Sequence, residues 1–201
     1  MTHHTGRASQ EAYGLYTVAH EFEQFQQAVA IPSVWADLPD LVHTSNQLQH
    51  LSALIADVSG EVLFRAVDDS PDLDLGPVIY AYTSALVPAG RAMASLTESA
   101  EQVGFLHRFA EAPSGTPGLK DARETAFHVV QERLEAVRED LGEVSRSLRG
   151  SADRLDGTPP RTLAALSRSA RPMNSVYRVP AERPASAPTR LAYTPAPRHG
   201  R

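Results

Sequence analysis

Residues 127–155 read FHVVQERLEAVREDLGEVSRSLRGSADRL, and their spacing decides the fold class. Phe127, Val130, Leu134, Val137, Leu141, Val144, Leu148 and Leu155 recur at alternating steps of three and four, with Ser151 alone interrupting the series. A mean step of about 3.5 against a helical repeat of about 3.6 keeps these side chains on one side of an α-helix turn after turn. The resulting seam is narrow, so a helix that carries it must bury it against other helices.

Upstream of this helix, the run Pro113-Ser-Gly-Thr-Pro-Gly118 is the strongest turn signal in the chain, and Thr116 followed by Pro117 suits a cap and first position for a helix over 119–155. Before the turn, residues 77–112 carry a second seam: Ile79, Tyr82, Leu86, Ala89, Met93, Leu96, Ala100, Val103, His107 and Ala110. Pro88 lies inside it and cannot donate to the carbonyl of Ser84. An interior proline costs on the order of 3 kcal/mol in a straight helix, which predicts a kink near 85–90 or two helices in series. Two helices of this length joined by a six-residue turn form an antiparallel hairpin.

The N-terminal half repeats the pattern. Over 40–68 the apolar positions are Leu41, Leu48, Leu51, Ile55, Val58 and Val62, and over 9–30 they are Leu15, Val18, Phe22, Phe25 and Val29. Ser9 is a plausible N-cap for the first helix, which leaves 1–8 as a disordered N-terminus. The connection between them holds Pro32, Pro39 and the single tryptophan, Trp35. Its indole is read as closing the bundle end rather than as marking a binding surface, since a buried aromatic often does so. The expected fold is all-α: an antiparallel four-helix bundle or elongated helical hairpins with coiled-coil-like packing, over 9–156.

Charge divides the chain differently. Residues 1–156 hold 23 acidic and 11 basic side chains, whereas 157–201 hold one acid, Glu182, and eight arginines. That tail, rich in proline, alanine and serine, has too few large apolar residues to offset the entropy of ordering, so it is expected to be disordered. Arg161, Arg168, Arg171, Arg178, Arg183, Arg190, Arg198 and Arg201 are its candidate contacts to phosphates or to an acidic partner. Arginine outnumbers lysine 18 to 1 in the whole chain, a bias that G+C-rich coding DNA also produces, so the arginines carry no argument from guanidinium geometry.

Reactive constellations are missing from the pattern. Di-iron bundles use Glu-x-x-His repeats, and the nearest approach, Glu124 and His128, is four apart and single. His20-Glu21 lacks the second histidine of a zinc-protease helix, and His43 and His50 stand two turns apart. The acidic run from Asp68 places Leu73 and Ile79 where a calcium loop needs glycine and glutamate. There is no cysteine to serve as nucleophile or thiolate ligand. His107, on the third seam, is read as a core-edge histidine. No metal, cofactor or catalytic residue is therefore expected, and no small-molecule substrate is evident.

The first ten residues contain no apolar run, and no stretch approaches the roughly 20 apolar residues of a membrane span, so a cytoplasmic location is expected. The function expected is non-enzymatic: a helical interaction or scaffolding protein that binds itself or a protein partner through its helical faces. Its basic tail would engage an acidic partner. Nucleic-acid association through those arginines is the alternative.

Overall fold

The computed structural model describes residues 3–68, 74–111 and 118–157. Four helices are present: α1 (His3–Ala28), α2 (Leu41–Ala66), α3 (Gly76–Arg108) and α4 (Leu119–Leu155), with a single 3-10 turn (Trp35–Asp37) between the first two. No strand occurs among the described residues. The chain is an antiparallel four-helix bundle: α1 packs on α4, α4 on α3 and α3 on α2, while the α1–α2 contact is the smallest of the four. Tyr16 bonds Asp153 and the Gln131 side chain reaches Pro32 O at 2.8 Å, so α1 and α4 run in opposite directions. None of these helices is long and apolar enough to cross a membrane. The tail expected to be disordered, with its eight arginines, and the centres of the two expected turns lie outside the described residues.

α4 forms as its spacing requires. Every large seam residue from Phe127 to Leu148 is buried, Leu155 is partly so, and Ser151 is buried as well, bonding back to Ser147 O. Gripped by α1 and α3 on two sides, α4 also buries Gly142, Ser145 and Ala152. At Gly142 a Cβ would stand 2.8 Å from the side-chain amide nitrogen of Gln26, which donates to Arg138 O and would have to shift. Gly118 stands at its N-cap and supplies no side-chain bond.

Three expectations are corrected in detail. Residues 3–8 continue α1 rather than forming a disordered arm, and Ser9 lies inside the helix; Arg7 pairs with Asp68 past the end of α2 and ties this first turn down. α3 is one continuous helix through buried Pro88 rather than two in series. On α2 the buried stripe is Thr44, Gln47, Leu51, Leu54, Val58 and Arg65, a 3-4 series rotated from the expected one, so that Leu41 is exposed. Asp40 does cap α2, accepting from His43 N at 2.6 Å. On α3 the expected Tyr82, Ala89, Leu96 and Val103 are buried, joined by Val78, Ala81, Ala85, Ala92, Ser99 and Leu106, while His107 is exposed. Where two helices approach closely the small side chains take the contact and the large ones flank it, so a seam drawn through the large ones is turned out of phase.

The ion pairs hold helices to each other. Arg91 on α3 reaches Asp140 at 2.8 Å and Glu143 at 2.7 Å on α4. Arg149 pairs with Glu23. Arg133 Nε lies 2.7 Å from Glu98 without a hydrogen bond to it. Exposed pairs of this kind contribute at most about 1 kcal/mol each, so they fix register more than stability.

Candidate functional site

Two grooves and two apolar ends distinguish the surface. The first groove, of about 750 Å³, lies where the α1–α2 connection crosses the start of α4. Trp35 stacks on Phe127 with ring centroids 4.7 Å apart, and the Arg123 guanidinium lies over the indole at 5.5 Å from its centroid. The indole thus closes the bundle end as the sequence suggests, yet it remains 45% exposed beside exposed Val34. Lys120, the only lysine of the chain, completes the wall together with His128.

The second groove, of about 550 Å³, is the opening between α1 and α2. Behind it sits the one buried charged cluster among the described residues. Arg65 Nε donates to Glu11 Oε2 at 2.7 Å, a second guanidinium nitrogen bonds Glu61, and the guanidinium lies over the Tyr82 ring at 4.8 Å from its centroid. Burial works to lower the Arg65 pKa, but its hydrogen bonds to Glu61 and Glu11 outweigh that and leave it above the ordinary value. Tyr82 is wholly buried, and its hydroxyl has no hydrogen-bond partner. That hydroxyl ends against Gly14, where a Cβ would stand 3.2 Å away; glycine leaves the room the phenol occupies.

Two tyrosines titrate late. Burial pushes the Tyr82 phenol up to about 12, and the hydrogen bond to Asp153 does the same for Tyr16. A group that holds its proton more tightly when folded contributes stability in full below its unfolded pKa of about 10, and that contribution is lost as pH rises through the folded value. Thermal unfolding should therefore fall between pH 10 and 12, and Tyr82→Phe should reduce the slope. At neutral pH the same substitution is neutral or stabilising by about 1 kcal/mol, because it removes an unsatisfied hydroxyl.

Exposed large apolar side chains gather at the bundle ends. At the Arg65 end these are Leu63, Phe64 and Val67 at the close of α2, with Tyr13 on α1 and Tyr80 on α3; at the other end they are Val34, Trp35, Leu41 and Val42, and Val87 on α3 stands apart from both. Leu63, Phe64 and Val67 are each at least 66% exposed. α2 joins the two ends, and of its 26 residues only Asp57, Glu61 and Arg65 bear formal charge, Arg65 being buried. Between the ends it exposes Asn46, Gln49, Ala53, Ala56 and Gly60, with Asp57 the one exposed charge beside them.

Of the histidines weighed from sequence, His43, His50, His107 and His128 are exposed and do not converge, and no group of three metal-ligating side chains comes together among the described residues. The Glu11–Arg65–Tyr82 cluster was not foreseen. Its one signal is a charged residue at the 3-4 spacing of the true α2 stripe. No family model, curated protein or solved structure matches the chain.

Proposed function

We propose that the chain is a non-enzymatic interaction protein that docks a protein partner, or a second copy of itself, through the outer face of α2 and the apolar ends it joins. The carrying observation is the concentration of exposed Leu63, Phe64 and Val67 at the end of a helix that bears few charges. Large apolar groups clustered at the surface lose favourable free energy to water and mark contact surfaces when they are contiguous. The eight tail arginines would engage an acidic partner, a reading that rests on sequence.

Light scattering over a wide concentration range tests self-association, and a photoreactive residue at position 64, set against one at exposed position 139, tests for another partner in the native host. Phe64→Glu should abolish whichever association is seen while leaving the melting temperature unchanged, since the side chain is 68% exposed. A strictly monomeric protein that gives no more cross-linking at 64 than at 139 would reject the proposal.

A further inference from the structure

The face of α2 turned away from the bundle carries a stripe of its own. Val42, Asn46, Gln49 and Ala53 continue into Ala56, Gly60, Leu63 and Val67 at steps of four and three in strict alternation, every one of them exposed and none charged. A mean step of about 3.5 keeps such positions in line along a helix, which is the spacing of a coiled-coil seam. The stripe runs two residues out of step with buried Thr44, Leu51, Leu54 and Val58, which puts it on the opposite side of the helix. A helix face that stays in water is ordinarily charged; here the one exposed charge beside the stripe is Asp57.

We propose that this stripe pairs with its own copy: the chain forms a twofold dimer in which α2 lies antiparallel on α2 of a second protomer. The dimer rests on the reading of the outer α2 face as a docking surface and gives that surface its occupant and register. The alternation of four and three is the same from either end, so a twofold axis between Ala53 and Ala56 lays the stripe on itself, with each contact made twice. Ala53 meets Ala56 of the other copy, Gln49 meets Gly60, Asn46 meets Leu63 and Val42 meets Val67. Small residues at the centre let the helices approach to the short end of the usual range, about 8 Å between axes. The apolar ends, flanked by Phe64, supply the burial that drives association. A Cβ at Gly60 would meet nothing within 4 Å in this chain, so there is room for the Gln49 side chain of the other copy to lie over it.

Charge selects the direction. His50 and Asp57 both stand on the α1 side of α2, His50 with its ring near-perpendicular to that of Phe25 at 4.9 Å between centroids, and Asp57 in the wall of the α1–α2 groove. Residues that flank a seam on one side meet the same side of an antiparallel partner, which brings each His50 to the Asp57 of the other copy. A histidine ring N–H donates to a carboxylate whether or not the ring is charged. A parallel pair would instead bring Ser45 to His50 and Ser52 to Asp57, and flanking charge pairs are what set orientation in two-helix seams.

The chain has no cysteine, so nitroxide labels on Ser45→Cys and, in a separate preparation, on Ala66→Cys report one site each. Antiparallel pairing predicts the same spacing in both preparations, about 30 Å between the two copies of a label at the helical rise per residue; parallel pairing predicts a far shorter one. Dipolar electron resonance reads the difference. His50→Glu should weaken the dimer at least about tenfold by setting carboxylates against each other twice, and adding Asp57→Lys should bring the dissociation constant back to within about threefold of the unaltered chain. Sedimentation equilibrium measures both, and circular dichroism of the dilute proteins checks that each variant keeps the fold. A dimer with short or unequal label spacings, or one that the charge swap fails to restore, would overturn the register and leave the docking surface standing. A chain that stays monomeric at every concentration would overturn the dimer itself, and cross-linking at position 64 would then decide the docking surface alone.

Discussion

Replacing Leu141 with alanine is expected to lower the free energy of unfolding by about 3 kcal/mol or more, the cost of deleting a fully buried leucine and leaving most of its cavity behind. Leu141 lies midway along α4, where α1 and α3 both press on it, so neighbouring side chains have little freedom to collapse into the space. Leu54→Ala on α2 should cost about 2 kcal/mol or more, since that side chain is 6% exposed. Leu41→Ala, on the same helix but 46% exposed, should cost well under 1 kcal/mol. Urea unfolding followed by far-UV circular dichroism measures all three. Equal costs for Leu54 and Leu41 would mean that α2 turns its other side inward, the phase that its large apolar residues alone suggest.

That contrast shows where periodicity is a sufficient guide. The stripe on α4 is read correctly because the helix is charged everywhere else, with Glu135, Arg138, Glu139 and Glu143 exposed, so only one phase buries the leucines. On α2 almost nothing is charged, and two stripes a fraction of a turn apart are nearly as apolar as each other. What selects between them is tertiary: Arg65 must reach Glu11 on α1, at 2.7 Å. Burial of Thr44, Gln47 and Arg65 in preference to Leu41 and Leu63 is therefore invisible to a rule that ranks residues by hydropathy. The same rule passes over Ala81, Ala85 and Ala92 on α3, which lie at the contact because they are small.

The candidate surfaces were legible in a different proportion. Trp35 draws attention from sequence as the lone indole between two prolines, and the structure stacks it on Phe127 while much of its surface stays in water. The open groove could not be read, because it depends on how little two consecutive helices touch. Chain order offers no signal for that: α1 and α2 are consecutive, yet α1 packs far more on α4. The acidic excess of the body is plain in the composition, but the placement of Glu21 and Asp57 in the walls of that groove requires the bundle to be assembled first.

Arg65→Ala is expected to be at least as damaging as the loss of Leu141, by about 3–5 kcal/mol, although the residue is charged and close to the end of its helix. The Arg65 side chain is 8% exposed and that of Glu11 is 11% exposed, so removing the guanidinium strands a carboxylate away from water and also withdraws the cation from the Tyr82 ring. The damage should be repairable without restoring charge. Arg65→Met together with Glu11→Leu fills similar volume and leaves neither ion alone, and a buried pair replaced by well-packed apolar groups is commonly no less stable than the original. The double variant should thus unfold within about 1 kcal/mol of the unaltered chain, whereas Arg65→Met alone should lie close to Arg65→Ala, and urea unfolding orders the three. If both single variants proved harmless, the cluster would be solvated at little cost, and its place behind the α1–α2 groove would owe nothing to desolvation. If instead the double variant were as damaged as either single one, the pair would be holding α1 to α2 by direction as well as by charge, which is what a groove with carboxylates in both walls requires of the cation behind it.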